Sequence, residues 1–102
     1  MFSDLRSLKY LNLSFNDFSG EIPSEIFKNL TVLVELNLSG NNFHGNLPSS
    51  VSCMKQLESL KAYSNQFSGA VDRSMGELEE LRLVNLSNNK YVLLYLRLTL
   101  SV

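Results

Sequence analysis

Few residues of this sequence have side chains that could perform acid–base, nucleophilic or metal chemistry, and their surroundings favour other roles. His44, the single histidine, lies between a phenylalanine and a glycine, which indicates a solvated side chain in a turn. Cys53, the single cysteine, cannot form a disulfide within the chain and is typical of a small packed thiol. Glu77, Glu79 and Glu80 form a charge run that is typical of a solvated surface. Because no metal-ligand spacing is present, we expect no catalytic centre, no metal and no cofactor.

The composition and charge argue against several kinds of partner. The formal net charge of -1 gives no long-range attraction to nucleic acid or to anionic lipid. The sequence is 44% hydrophobic with only two prolines and five glycines, which is typical of a folded protein rather than a disordered one. No stretch approaches the ~20 apolar residues of a membrane span, and the first residues show no signal-peptide pattern. We therefore expect a folded binding or structural domain.

The strongest pattern in the sequence is an internal repeat. An asparagine returns after each L-x-L-type pair at intervals of 25, 24 and 24 residues, and a glycine follows the first three asparagines four places later. The asparagines are Asn16, Asn41, Asn65 and Asn89, and the glycines are Gly20, Gly45 and Gly69. A period of this length predicts a solenoid of stacked repeats, each of which we call a coil.

Each coil contains one short segment with the alternation of a β-strand. In residues 10–14, Leu11 and Leu13 face one side and the polar residues face the other. One strand per coil can stack in parallel about 4.8 Å apart, which joins the leucines into one column. The asparagine amide both donates and accepts hydrogen bonds, so we expect it to be buried and to satisfy backbone groups where the chain leaves the strand. Aromatic residues are predicted to fill the interior beyond that bend: Phe18, Phe43, Phe67 and Tyr91.

Residues 8–23 read LKYLNLSFNDFSGEIP, and this pattern resembles the plant extracellular class of leucine-rich repeat. That class occurs in ectodomains of receptor-like kinases and receptor-like proteins, and in secreted inhibitors of cell-wall-degrading enzymes. The resemblance implies an α/β-type repeat solenoid, a right-handed coil with parallel β-strands on the concave face. It also implies a short second strand near the glycine, and mostly irregular or short helical turns on the convex face. The sequence departs from the pattern at Ala62, at Asp72 and after Asn89.

The repeats predict one unit over residues 1–91, about three and a half coils that start near residues 5, 30, 54 and 78. Residues 92–102 form an atypical hydrophobic tail, which is either a strand that covers the end of the stack or sequence without selected structure. The extra residue of the first coil is expected in an outer loop around Phe27, Lys28 and Asn29. The paired-cysteine caps of complete ectodomains are missing, which indicates a fragment.

The outward positions of the strands are the candidate binding residues, because neighbouring coils place them in columns on one rigid face. Exposed aromatic residues and arginine are the usual binding anchors. A lysine or arginine would suit a carboxylate or sulfate, and a glutamate would suit a basic side chain. The candidates are Tyr10, Asn12, Phe15, Glu35, Lys61, Tyr63 and Arg82. The alternative is ordinary exposed surface, on which Glu58 and Arg82 form only a weak pair.

Four N-x-S/T sequences are candidate glycosylation sites, at Asn12, Asn29, Asn37 and Asn85. Three of them arise from the strand motif itself, so their number is weak evidence for secretion. Asn12 and Asn37 would project from neighbouring strands about 4.8 Å apart, which is too close for two glycans. Asn29, on the outer side, is the preferred acceptor.

The resemblance implies a non-catalytic module from a plant leucine-rich-repeat receptor ectodomain. Its partners would be a peptide, protein or glycan ligand, together with a co-receptor, and not nucleic acid. Its place would be the extracellular or cell-surface face of the plasma membrane, with membrane attachment only through parts outside this sequence. Two alternatives stay open: a secreted inhibitor of a cell-wall-degrading enzyme, and a truncated gene product with no independent function.

Overall fold

Every coil gives one strand to each of two parallel sheets in the computed structural model, which describes residues 2–70 and 73–93. In chain order the strands are β1 (Tyr10–Asn12), β2 (Ser19–Gly20), β3 (Glu35–Asn37), β4 (Asn42–Gly45), β5 (Ser59–Lys61), β6 (Gln66–Ala70), β7 (Leu83–Asn85) and β8 (Lys90–Leu93). The first sheet has the order β1-β3-β5-β7 and the second has the order β2-β4-β6-β8. This regular alternation confirms the predicted solenoid, including the short second strand, which leads up to the glycine in the first two coils.

The first sheet aligns one leucine-type residue from each coil. Leu11 pairs with Leu36, Leu36 with Leu60, and Leu60 with Val84. Leu36 and Leu60 are fully buried, whereas Leu11 and Val84, at the two ends of the column, are only partly buried. A single coil cannot bury its own leucines, so the core forms between coils and is most complete in the middle of the stack.

The repeated asparagines tie each coil to the one before it. Asn65 is buried, with 8% of its surface exposed. Its Oδ1 accepts the N–H of Phe43 at 3.1 Å, and its Nδ2 donates to the carbonyl of Leu38 at 2.9 Å. Asn41 and Asn89 make the same pair of bonds to their own preceding coils. The predicted burial of these amides is therefore confirmed for the inner coils, at Asn41 and Asn65, where each amide satisfies backbone groups of the preceding coil.

Asn16, in the first coil, differs from the other three asparagines. It is exposed, and its Nδ2 donates only to the carbonyls of Leu13 and Ser14 within its own coil. Beside it, a hollow of about 260 Å³ opens at this end of the core, lined mainly by apolar side chains such as Leu11, Leu13 and Ile22. Among the described residues no further coil packs on this side of the first coil, and we call it the open end of the stack.

The convex side is built from short helices, two of which begin directly after a proline. Pro23 and Pro48 have an extended backbone, with φ of -65° and -60°, because the proline ring fixes this angle. Pro23 precedes α1 (Ser24–Asn29), the only α-helix of the described residues. The other convex segments are 3₁₀-helices, at Phe2–Ser7, Ser49–Cys53 and Arg73–Glu77.

The extra residue of the first coil lies in α1 rather than in the loop that we expected. Six residues of α-helix advance about 9 Å and five residues of 3₁₀-helix advance about 10 Å, so α1 spans the same distance as the 3₁₀-helix of the next coil with one residue more. Phe27 is fully buried within α1 and joins the core. The insertion therefore adds a core side chain, which the sequence reasoning missed.

A column of phenylalanine rings fills the interior between the two sheets. The rings of Phe18 and Phe43 stack with centroids 6.2 Å apart, and those of Phe43 and Phe67 with centroids 6.0 Å apart. Phe43 and Phe67 are buried as predicted, whereas Phe18, at the open end, is 45% exposed. The predictions for the side chain of Tyr91, for Asp72 and for residues 94–102 of the tail lie outside the described residues.

Candidate functional site on the concave face

The side chains of the first sheet that point away from the leucine column form two rows on the concave face. One row contains Tyr10, Glu35, Ser59 and Leu83, and the other contains Asn12, Asn37, Lys61 and Asn85. Neighbouring members of a row lie on adjacent parallel strands, about 4.8 Å apart. The register of the sheet therefore brings residues that are 24 or 25 positions apart in sequence into direct neighbourhood.

The structure brings three of the predicted binding residues together. A depression of about 180 Å³ in the concave face is lined by Asn12, Glu35 and Lys61, with Asn37 and Ser59 between them. Glu35 and Lys61 carry opposite charges but form no ion pair with each other within the described part of the chain, where the ion pairs are Lys28–Glu25 and Lys55–Glu77. The depression thus offers one unpaired carboxylate and one unpaired ammonium group to a ligand.

The other predicted residues lie around this depression. Tyr10 is 63% exposed at the open end of the sheet. Arg82 is exposed immediately before β7, and its backbone N–H donates to the carbonyl of Glu58 at 2.8 Å. Among the described side chains, Glu58 and Arg82 do not form the surface ion pair that we considered. Arg82 is therefore free to contact a ligand, although it does not line the depression.

Phe15 and Tyr63 form an aromatic pair at the end of the strands. Their ring centroids are 6.3 Å apart with an interplanar angle of 65°, an edge-to-face arrangement. Phe15 belongs to the first coil and Tyr63 to the third, so the ring of Phe15 crosses the second coil above Gly40. A Cβ atom on Gly40 would lie 2.5 Å from Cδ1 of Phe15. The contact between the two rings depends on glycine at this position.

The residue before each repeated asparagine has a left-handed backbone, which the sequence reasoning did not predict. The φ angles are 56° for Phe15, 69° for Gly40, 56° for Ser64 and 56° for Asn88. Glycine and asparagine tolerate this conformation, whereas other residues pay about 1–2 kcal/mol for it. The left-handed backbone could have been predicted from Gly40 and Asn88, because these two residue types tolerate it and occupy equivalent positions of two coils.

Replacing Gly40 should weaken both the fold and the aromatic pair. We expect Gly40→Ala to lower the free energy of unfolding by about 1–2 kcal/mol, because alanine is strained at this φ and its Cβ would displace the Phe15 ring. Urea denaturation followed by circular dichroism measures the loss. Gly76→Ala is the control, because Gly76 is exposed within the 3₁₀-helix Arg73–Glu77. An equal loss in the two variants would contradict the prediction.

The four candidate glycosylation sites differ in environment. Asn29 is the last residue of α1, half-buried, and its Nδ2 donates to the carbonyl of Glu25 at 2.9 Å. Asn12, Asn37 and Asn85 lie on the concave face, and the Oδ1 of each accepts the N–H of the serine two residues later. Asn12 and Asn37 are direct neighbours in the sheet register. The use of Asn29 as the acceptor stays a prediction.

The described residues offer no arrangement for metal or acid–base chemistry that we can identify. No group of three or more histidine, cysteine or acidic side chains among them could hold a metal ion. His44 is exposed in β4, away from the depression of the concave face. The site is thus a rigid surface of polar, charged and aromatic side chains, which suits binding.

A repeat solenoid with this sheet and this concave face is a leucine-rich-repeat protein. The family model described as leucine rich repeat matches residues 6–67, and the chain belongs to that family. The comparison with curated protein sequences found no match.

Solved structures agree with this assignment. A chain of the BIR3–SERK2 complex from Arabidopsis thaliana is 38% identical, with a TM-score of 0.82 over 87% of this chain and 49% of that one. The ectodomain of the Arabidopsis receptor kinase HAESA, in complex with an extended IDA peptide hormone, is 31% identical, with a TM-score of 0.81 over 88% of this chain and 15% of that one. A leucine-rich-repeat protein of Leptospira interrogans is 36% identical, with a TM-score of 0.79 over 90% of this chain and 22% of that one.

These matches confirm the predicted resemblance to ectodomains of plant receptor kinases. The chain spans only about half of the BIR3–SERK2 complex chain that it matches, and less of the other two. Within the described residues, no helix has the length and hydrophobicity that a membrane crossing requires.

Proposed function

We propose that this protein is a non-catalytic module that binds a peptide or protein ligand through its concave face, as part of a plant receptor-type ectodomain. The observation that carries the proposal is the depression between Asn12, Glu35 and Lys61, in which two opposite charges are held close together without pairing. A rigid sheet lowers the ordering cost of binding, since its side chains are already placed.

The comparisons support the same kind of partner. The matched HAESA ectodomain holds a peptide hormone, and another HAESA structure with a TM-score of 0.66 contains both the peptide and the co-receptor SERK1. If this chain acts similarly, its role is ligand perception or co-receptor contact at the cell surface. A glycan ligand, glycosylation of the chain itself and its membrane attachment are further elements of the proposal that need their own tests.

A selection of displayed peptides would test this function. The unmodified chain is used to select binders from a phage-displayed library of random dodecapeptides, and the dissociation constants of synthetic binders are measured by calorimetry. Glu35→Arg on the concave face should change the dissociation constant at least tenfold, because it reverses a charge in the depression. Glu79→Arg makes the same change on an exposed residue of the outer side and should leave binding unaltered.

Two results would contradict the proposal. One is binding that depends on Glu79 but not on Glu35, and the other is a selection from which no peptide is enriched. Inhibition of a cell-wall-degrading hydrolase by the chain would instead favour the inhibitor alternative.

A further inference from the structure

Phe15 contributes little to the fold although its backbone is strained. Its φ of 56° lies in the left-handed region, which is unfavourable for a bulky side chain. Burial does not compensate for this strain, because 70% of the residue is exposed. The equivalent positions of the next three coils hold Gly40, Ser64 and Asn88, which are smaller. The repeat imposes the left-handed backbone at this position of all four coils, so the feature particular to the first coil is the bulky, exposed side chain that occupies it.

The ring of Phe15 is nevertheless held in a defined place. It lies over Gly40, where no Cβ atom obstructs it, and meets the ring of Tyr63 edge to face. Tyr63 is in turn tied to the second coil, because its backbone N–H donates to the Oγ of the buried Ser39 at 3.0 Å. The two rings therefore form a rigid apolar corner that faces solvent and needs little reorganisation on binding.

The row of side chains beside this corner presents hydrogen-bond donors. Asn37 and Asn85 flank Lys61 in the sheet register. The Oδ1 of each asparagine accepts the N–H of the following serine, Ser39 or Ser87, at 3.1 Å. Each asparagine is thus left with its Nδ2 as a donor toward solvent, next to the ammonium group of Lys61. A carboxylate complements this row, and a cationic side chain is disfavoured near Lys61.

We propose that the Phe15–Tyr63 corner and Lys61 together recognise an extended peptide segment with an apolar side chain two positions from an acidic one. Lys61 is the last residue of β5 and Tyr63 lies two positions after it, so their Cα atoms are at most about 7 Å apart. Side chains two positions apart in an extended peptide have a similar spacing, about 6.6 Å. The apolar side chain packs in the aromatic corner while the carboxylate contacts Lys61 and its amide neighbours. Glu35, on the adjacent strand, repels a peptide carboxylate placed over the row of Tyr10. The peptide carboxylate is therefore favoured beside Lys61 instead. This inference rests on the proposed function of the concave face.

The test uses the peptides selected on the unmodified chain. We expect an apolar residue two positions from aspartate or glutamate to be enriched among them. Phe15→Asn and Lys61→Gln should each weaken binding at least tenfold, whereas Lys55→Gln, which removes a lysine on the outer side, should not change it. Phe15→Asn should also raise the melting temperature by several degrees, since asparagine adopts the left-handed conformation more readily.

The possible failures are distinguishable. Peptides that tolerate Phe15→Asn and Lys61→Gln but respond to Glu35→Arg would overturn the aromatic corner and leave concave-face binding intact. A lower melting temperature for Phe15→Asn would overturn the strain argument. Peptides that respond to no concave-face substitution, or the absence of any enriched peptide, would overturn both proposals.

Discussion

Asn65→Ala should remove a large part of the stability of this protein. The buried amide of Asn65 accepts one backbone N–H, from Phe43, and donates to the carbonyls of Leu38, Ala62 and Tyr63. Alanine leaves the buried N–H of Phe43 without a partner, which costs about 1–3 kcal/mol. Each of the three carbonyls loses one hydrogen bond, worth about 0.5–1.5 kcal/mol, but keeps another from Asn41, Asn89 or Gly40. We therefore expect a loss of about 3–5 kcal/mol in the free energy of unfolding, a large share of the 5–15 kcal/mol that is typical of a domain.

Asn16→Ala is the matched control for this substitution. Asn16 occupies the same position of the repeat, but it is exposed and bonds only within its own coil. Its removal should cost less than about 1 kcal/mol, since water replaces the lost partners. Urea unfolding followed by circular dichroism compares the two variants, and an Asn65→Ala chain that no longer folds agrees with the prediction. Equal small losses would show that the asparagine ladder does not hold the coils together.

The arrangement of the inner coils could be predicted from the sequence because the repeat leaves few choices. A strand in one coil must pair with the equivalent strand of the next, so the intervals of 25 and 24 residues determine the register of Leu36 and Leu60. The burial of Asn41 and Asn65 follows from the same stacking, because the backbone groups at the bend have no partner in the sheet.

The extra residue of the first coil could not be placed from its sequence position. An insertion on the outer side can extend a loop or tighten a helix, and the repeat pattern does not distinguish these outcomes. The chain forms α1 there because the six-residue α-helix spans the same distance as a five-residue 3₁₀-helix and buries Phe27. The helical spacing of Phe27 and Leu30, both fully buried, is the signal that would have indicated it.

The candidate site was only partly accessible to sequence reasoning. The repeat pattern placed Phe15, Lys61 and Tyr63 on one face, and strand alternation accounts for Lys61 and Tyr63, because Leu60 and Ala62 beside them point inward. It did not show that the ring of Phe15 reaches across Gly40 to Tyr63, since this contact depends on the left-handed backbone at residues 15 and 40. Alternation describes extended strands, and these two residues lie just after the strands end.

Phe67→Ala should have an effect as large as that of the asparagine substitution, for a different reason. The ring of Phe67 is fully buried and stacks on the ring of Phe43. The backbone N–H of Phe67 donates to the Oδ1 of Asn89 at 3.0 Å. Truncation of a buried phenylalanine to alanine typically costs 3–5 kcal/mol, through lost transfer free energy and the cavity that remains. At roughly 4–8 °C per kcal/mol, the melting temperature should fall by more than about 12 °C.

Phe18→Ala makes the same chemical change at the open end of the same column of rings. Because Phe18 is 45% exposed, the truncation should cost about half as much or less, and it leaves no closed cavity. If Phe18→Ala instead costs as much as Phe67→Ala, the hollow of about 260 Å³ beside Phe18 must be covered in solution. Self-association would be one such cover, and it would make the melting temperature of the unmodified chain rise with protein concentration. A melting temperature independent of concentration, with a loss for Phe18→Ala well below that for Phe67→Ala, is therefore the result expected of a stack whose first coil is open to water.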